Sequence, residues 1–467
     1  MMSSFKKDNR QTIFNILSQL ILNGTNFILI MLFTRYLNTN DYGVVSIYQA
    51  YVTFLAIIVG LNSQGSIGTA FVHFEKEKHN FYISSILLLA MLNFIAICFL
   101  ATIFMPVIVK FTELSSLLIY LILFQSFGVF CFNLISINYT YLRKAQYGCA
   151  WSFIISISMI AISIASINLN KNNEMAYLSR ILSLAIPYIV CAVFVLISVY
   201  LKANPFINLK ESWKFCLPIC LPLVFHGVSQ VILAQTDKIM LQKFLNDNSY
   251  VGVYSFFATF VHVLNSIYIA LNNTWVPIYY EYTKQHQKSI ILSRSKSYCK
   301  LFSGLVIGFM MVSPEIIKLL ADRNYWSGMK LIPIIAFSIF MIFLYTFAVN
   351  FELYYQKTKW IALGTSAAAA CNITINAILI PLFGIYGAAI ATLVSYILLW
   401  LFHEICARKI AADFPYKIKF YYPYIISIII SSLLFYLFLN IWIVRWLFAI
   451  LVAIVIILKT IKNKVIF

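Results

Sequence analysis

The residues of this sequence whose types and spacing could do chemistry are four stripes of polar side chains and a few cations. Asn15, Gln19, Asn23 and Asn26 recur at intervals of four, four and three, which places them on one face of a helix with 3.6 residues per turn. His226, Gln230 and Asp237 share a face in the same way, as do Asn265, Tyr268 and Asn272, and Thr365, Ala369, Asn372 and Asn376. All four stripes lie in very apolar segments. An unpaired polar group in hydrocarbon costs several kcal/mol, so each stripe must face other helices or a wet cavity. Taken singly, hydrogen bonding between helices accounts for any one of them, while stripes in both halves of the chain point toward a shared cavity. Among the cations, Arg35, Arg180 and Lys238 fall at or within about a turn of the ends of their apolar segments, and Lys318 does the same. Each could snorkel to the membrane interface. Two or three turned inward would instead form an anion site, with Asp237 orienting Lys238 or a basic residue of a neighbouring helix.

Covalent chemistry finds little support. The sequence holds no Gly-x-x-x-x-Gly-Lys phosphate loop, no His-Glu-x-x-His and no Gly-x-Ser-x-Gly. No carboxylate pair falls in an outer loop and the loops are short, so no catalytic residue, metal or cofactor is expected, and the chain reads as a carrier instead of an enzyme. Of the fifteen carboxylates, none is placed deep in an apolar segment by the sequence, and Asp237 comes nearest. That weakens a cation-drug antiporter, which needs a buried carboxylate. Nine cysteines are scattered with none in an outer loop, so disulfides are not expected, and Cys216 and Cys220, one turn apart, read as core packing.

The elements that must position these groups follow from composition. With 62% hydrophobic residues, 10% charged residues and a mean hydropathy of +0.88, the chain departs from soluble proteins, which carry about 25% charge. It reads as an integral membrane protein. A net charge of +19 would suggest nucleic acid in a soluble chain. Here the lysines and arginines sit in short loops, where they set topology, and no nucleic-acid partner is expected. A spanning helix needs roughly 20 apolar residues. Fourteen segments qualify: 12–34, 43–70, 82–105, 115–140, 148–168, 177–200, 216–238, 251–275, 298–320, 329–351, 360–380, 386–406, 421–439 and 445–461. With the N-terminus inside, 24 of the 34 basic residues fall in inner loops, so both termini of this multi-pass protein are expected to be cytoplasmic. Lys6, Lys7 and Arg10 precede an apolar run too long for a signal peptide, and no cleavable leader is expected.

The chain also repeats itself. RYLNTNDYGVVS from Arg35 to Ser46 is echoed in QTDKIMLQKFLNDNSYVGVYS from Gln235 to Ser255. Aligned on Gly43 and Gly252, the copies are 252 minus 43, or 209, residues apart. Two copies of a helix pair suggest a transporter built from repeats around a central path. The predicted fold is all-α: an N-terminal six-helix bundle over 1–205, a C-terminal six-helix bundle over 206–412, pseudo-symmetric around a central cavity, and two extra helices over 413–467. Pro187, Pro218 and Pro222 lie where they could kink helices. Small residues from Gly384 to Ala391 permit close helix packing.

Three stretches together carry a resemblance: Arg35-Tyr36-Leu37 to Tyr42-Gly43, Asp237-Lys238 to Tyr254-Ser255, and the run from Leu379 to Thr392. Over essentially its whole length the chain resembles the Wzx-type polysaccharide flippases of the multidrug/oligosaccharidyl-lipid/polysaccharide exporter superfamily. That resemblance implies transfer of an undecaprenyl-pyrophosphate-linked O-antigen or capsule repeat unit from the cytoplasmic to the periplasmic leaflet of the bacterial inner membrane, by alternating access. It implies a pyrophosphate held by basic cavity residues, Arg35 lying in the matching early motif and Arg180 and Lys238 added on position. It also implies a lipid-linked oligosaccharide substrate, membrane lipid around the protein, and polysaccharide polymerase and chain-length proteins as partners. Coupling to the membrane potential, or to H+ or Na+ through Asp237 or His226, stays open. So do two other readings: a peptidoglycan-precursor flippase or drug exporter of the same superfamily, and a membrane glycosyltransferase or polymerase.

Overall fold

Helices are the open-ended structures that satisfy their own backbone in hydrocarbon, and every regular element among the described residues is helical. The computed structural model describes residues 2–169, 176–411 and 414–463. Eleven of its helices are long and apolar enough to cross a membrane, and three shorter apolar helices, Ile13–Leu29, Tyr422–Leu437 and Trp442–Val455, bring the candidates to the expected fourteen. The chain forms two compact units, Met1–Ile239 and Met240–Phe467. This spatial division falls within the helix Leu209–Leu245, whereas the boundary after residue 205 is one of sequence period.

The first unit contains α1 (Met2–Phe33), α2 (Thr39–Val59), the short α3 (Ile67–His73), α4 (His79–Ile103), the short α5 (Met105–Thr112), α6 (Ser116–Tyr141), α7 (Ala145–Leu169), α8 (Ala176–Tyr200) and most of α9 (Leu209–Leu245). Its most enclosed helix is α6, which packs on α2, α4, α7 and α8. Polar groups stitch these contacts. The Tyr48 hydroxyl donates to Gln125 Oε1 at 2.6 Å, and the Ser126 hydroxyl donates to the Val52 carbonyl at 3.2 Å. Along α1, Ser18, Leu22, Thr25, Leu29 and Phe33 are buried at intervals of four, three, four and four, the spacing of one helix face. Ser18 pairs with Ser152 of α7 through their hydroxyls.

The second predicted span, 43–70, is not one helix. At about 1.5 Å per residue it would exceed the roughly 30 Å hydrocarbon core by about two fifths. It stops at Val59, turns through Leu61 and Asn62 with φ of 48° and 47°, tightens into a 3-10 turn at Ser63–Ser66, and resumes as α3. The polar run Asn62-Ser63-Gln64 lies at this break.

The second unit holds α10 (Asn248–Val261), α11 (Val263–Lys284), α12 (Lys288–Leu320), α13 (Ile332–Tyr354), α14 (Thr358–Phe383), α15 (Ile385–Ile410), α16 (Tyr422–Leu437) and α17 (Trp442–Asn463). The predicted span 251–275 is likewise divided, at His262. The enclosed helix here is α13, packed on α10, α11, α12, α14, α15 and α16. It is the fourth long segment of the second repeat, as α6 is of the first, so both copies use the same member as their hub. Asn350 Nδ2 of α13 donates to Asn272 Oδ1 of α11 at 2.8 Å. Thr365, Ala369, Asn372 and Asn376 of α14 are all buried, and Asn376 Nδ2 donates to Asn372 Oδ1 at 3.0 Å. That stripe serves helix packing.

The turn between α14 and α15 explains the small-residue run. Gly384 has φ +56° and ψ −131°, a region open essentially to glycine. At Gly387 a side chain would run into the backbone carbonyl of Leu379. Replacing Gly387 with valine is therefore expected to cost about 1–3 kcal/mol through overpacking, read as a lowered melting temperature of the detergent-solubilised protein. An unchanged melting temperature would show that the turn can relax.

Candidate functional site

Arg180 sits one turn into α8, on a helix whose inward positions Ser179, Ile181, Ser183, Leu184 and Ala185 are all buried. The helix continues apolar beyond it, and the guanidinium is held in the interior with only 4% of its surface exposed. There its carbon lies 5.0 Å from the Phe33 ring centroid, at the end of α1. The Tyr42 phenol of α2 is close enough to interact with its charge. Nη1 reaches Ser183 Oγ at 3.5 Å, the outer limit of a hydrogen bond. A guanidinium has five N–H donors and cannot shed its charge. Among the described residues no carboxylate pairs with this one, and a single long bond leaves most of its donors unused. An aromatic face contributes about 0.5–2 kcal/mol, well short of the several kcal/mol that a buried ion loses with its water. The missing compensation is what an incoming anion would supply.

Arg180 thereby comes to the turn between α1 and α2, two residues from which, in sequence, Arg35 follows Phe33. Arg35 itself is exposed. The other predicted site residues occupy different surroundings. Gln19 and Asn23 are exposed and Asn26 is half-buried, so this part of the α1 stripe turns away from the buried seam. Asn15, also half-buried, accepts from the Thr140 hydroxyl at 3.1 Å. Exposed amides at such positions in a span need a polar partner or water beside them. On α9, His226 is half-buried, Gln230 exposed and Asp237 buried, with Lys238 half-buried and within reach of the Asp237 charge. The three residues of that stripe do not share one environment. Lys318 lies 5.9 Å over Trp326 beside Arg323, an aromatic anchor at a helix end.

A second polar group forms where α2 breaks. Asn93 Nδ2 of α4 donates to the carbonyls of Ile58 at 2.8 Å and Val59 at 3.0 Å, in the last turn of the broken helix, where Ile58 also accepts from the Leu61 N–H at 3.1 Å. Asn62 Nδ2 donates to the Leu223 carbonyl of α9 at 3.0 Å, and Gln64 Nε2 donates to Asn62 Oδ1 at 2.8 Å. His226 stands one turn beyond Leu223, and its Nδ1 and Gln64 Oε1 are both buried without a hydrogen-bond partner. The sequence held a signal for this cluster, a polar run interrupting an overlong span.

The carboxylates require a correction. Glu352, near the end of α13, is fully buried and Glu404, on α15, is 2% exposed. Both stand near the ends of apolar segments, where a carboxylate ordinarily reaches water. Tertiary packing on α14, α15 and the segment before α16 encloses them instead.

A family model described as polysaccharide biosynthesis protein matches residues 9–283. The chain is similar to Lsg locus protein 1 of Haemophilus influenzae, with 24% identity over 354 residues, covering 72% of this chain and 82% of that protein. An uncharacterized membrane protein of the same organism is 22% identical over 353 residues, covering 72% and 81%. Among solved structures, the lipid II flippase MurJ in its inward closed conformation superposes with a TM-score of 0.72 at 16% identity, over 97% of this chain and 98% of that one. An inward-facing multidrug resistance MATE family transporter of the MOP superfamily gives 0.58 at 12% identity, over 86% and 95%. At these identities the likeness establishes the fold.

Proposed function

This chain belongs to the polysaccharide biosynthesis protein family, and on that footing we propose that it is a flippase for a lipid-linked oligosaccharide. In this reading it moves an undecaprenyl-pyrophosphate-linked O-antigen or capsule repeat unit from the cytoplasmic to the periplasmic leaflet by alternating access. The observation that carries the proposal is Arg180, a permanent cation held 4% exposed with no carboxylate among the described residues to neutralise it. A pyrophosphate is the anion such a group fits, because guanidinium N–H pairs match phosphate oxygens. Arg35 beside the same turn supplies a second cation from a more open position, and Lys238 is placed here on its position alone.

Exposed Gln19, Asn23 and Gln230 give hydrogen-bonding groups for sugar hydroxyls along a wet surface. Bare transfer of the charged head group through hydrocarbon would cost tens of kcal/mol. A hydrated cationic path removes most of that barrier while the prenyl tail stays in lipid. With the cell interior negative, outward movement of an anion gains about 2.3 kcal/mol per charge per 100 mV. The test is transbilayer movement of an undecaprenyl-pyrophosphate oligosaccharide in proteoliposomes, with and without an imposed potential. Faster movement under an outside-positive potential is expected. Movement that ignores the potential would remove the electrogenic part of the proposal, and no movement by folded protein would remove the cargo.

A further inference from the structure

The second unit carries exposed lysines where α12 and α16 begin. α12 has 33 residues, about 50 Å of helix at about 1.5 Å per residue, against a hydrocarbon core of roughly 30 Å. Its surplus falls at the start, because no charge occurs between Lys300 and Glu315, while Lys288, Arg294, Lys296 and Lys300 come before. Lys296 and Lys300 are both exposed and one turn apart, on one face near the head groups. α16 runs beside α12 in the same direction: the Tyr424 hydroxyl donates to the Lys296 carbonyl at 3.4 Å, and further along Ser432 Oγ lies 4.0 Å from Met310 Sδ. The segment leading into α16 therefore lies at the level of Lys296.

That segment is clamped at both ends. Tyr416, 1% exposed, meets Ser295 Oγ of α12 through its hydroxyl at 2.8 Å, and its carbonyl accepts from Arg408 Nη2 at 3.0 Å. Tyr421, fully buried, donates to Glu404 of α15. Between the two anchors the chain makes a single 3-10 turn, Ile418–Phe420, and Lys417, Ile418 and Lys419 are all exposed. Tyr422, the first residue of α16, is exposed as well. Glu404 is neutralised by Arg408 at 2.8 Å, and among the described residues no carboxylate lies within ion-pair distance of Lys296, Lys300, Lys417 or Lys419. In the first unit, by contrast, Lys78 is met by Glu211 at 3.4 Å.

Lysines in loops fix the orientation of a membrane protein, and for that an unstructured loop suffices. Orientation does not call for a turn fastened by two buried tyrosines, nor for an isoleucine displayed between two of the lysines. An apolar side chain flanked by cations, beside an exposed tyrosine, matches the boundary between acyl chains and phosphate groups. Water alone is a poor neighbour for Ile418, and hydrocarbon alone is a poor one for Lys417 and Lys419.

We propose that Lys296, Lys300, Lys417 and Lys419 form a binding site for the head group of an anionic phospholipid, with Ile418 and Tyr422 against its acyl chains. The lipid phosphate supplies the counter-charge that the protein lacks here. A zwitterionic head group brings its own cation and gains less. Bound lipid bridges the start of α16 to α12. The site uses none of the residues assigned to cargo, so it stands whatever the protein moves.

The test adds phosphatidylglycerol or phosphatidylcholine to the full chain in neutral maltoside micelles and reads retained lipid by native mass spectrometry. Phosphatidylglycerol is expected to bind at least about tenfold more tightly than phosphatidylcholine. A lysine near an anionic surface is worth about fivefold in binding, so Lys417→Gln with Lys419→Gln should lower that affinity about tenfold or more, as should Lys296→Gln with Lys300→Gln. The control pair Lys210→Gln with Lys214→Gln, in the first unit, should bind as wild type does. All six positions are exposed, and melting temperatures without lipid should match. Ile418→Ser, which leaves every charge in place, should also weaken retention. Equal retention of the two lipids, wild-type affinity in either lysine pair, or an equal loss in the control pair would reduce these lysines to topology signals. Wild-type retention by Ile418→Ser, or displacement of phosphatidylglycerol by an equal concentration of inorganic phosphate, would leave a general anion patch and overturn the lipid assignment.

Discussion

Replacing Arg180 with methionine is expected to leave the fold as stable as before, or more stable, while slowing cargo movement by at least about tenfold. The two effects have one cause. Methionine keeps most of the apolar stem of the side chain, gives up the guanidinium's contact with the Phe33 ring, and removes a buried charge that no carboxylate among the described residues neutralises. Burying an unpaired ion costs several kcal/mol, so its removal relieves the protein even after loss of an aromatic contact worth about 0.5–2 kcal/mol. Hydrogen bonds to a charged group are worth about 1.5–3 kcal/mol each, so a cargo phosphate deprived of one is held at least about tenfold more weakly. Arg180→Lys should recover part of the movement, since an ammonium supplies the charge without the two-pronged geometry. The measurements are melting temperature in detergent and initial rate in proteoliposomes. A large fall in melting temperature with methionine would identify Arg180 as a structural brace, and normal movement would take it out of the cargo path.

How far the sequence reaches depends on which physical rule fixes each feature. Helix number and approximate position are set by the thickness of hydrocarbon and the cost of bare backbone, both local rules, and all fourteen segments were legible. The repeat was also legible, because Gly43 and Gly252 stand at the same place, the fifth residue of α2 and of α10, and both are buried in the structure. The break at Leu61–Asn62 was half legible: the span was too long and held a polar run, but the bonds its carbonyls accept from Asn93 come from another helix. Helix rotation was not legible. Gln19 and Thr25 are both polar residues of α1, yet the first is exposed and the second buried. Polarity alone cannot tell a group that faces water from one that bonds to a neighbouring helix. Glu352 and His403 are 51 residues apart and meet only through the packing of α13 on α15. Arg180 stood out as a position near a helix end, but nothing local distinguished it from a snorkelling cation, since the distinction lies in what surrounds the guanidinium.

The same substitution at Arg445 should do the opposite. Arg445 is as deeply enclosed as Arg180, with 1% of its surface exposed, but it is met by the Glu315 carboxylate, by the carbonyls of Met311 and Phe438, and by Trp446 Nε1, which donates to Glu315 at 3.2 Å. Removing one member of a buried pair leaves the other uncompensated, which costs about 3–5 kcal/mol. Arg445→Met should therefore lower the stability of the second unit by that order, freeing α17 from α12, with a clear drop in melting temperature and raised hydrogen exchange at Trp442–Asn463. Adding Glu315→Gln should restore part of the loss, because it removes the stranded charge and leaves a group that can still bond Trp446. Equal destabilisation in the single and double variants would mean that the carbonyl bonds, not the ion pair, hold α17. Two enclosed arginines, changed to the same residue, are thus expected to move stability in opposite directions. The sign follows from whether the protein supplies the counter-charge or leaves it to a ligand.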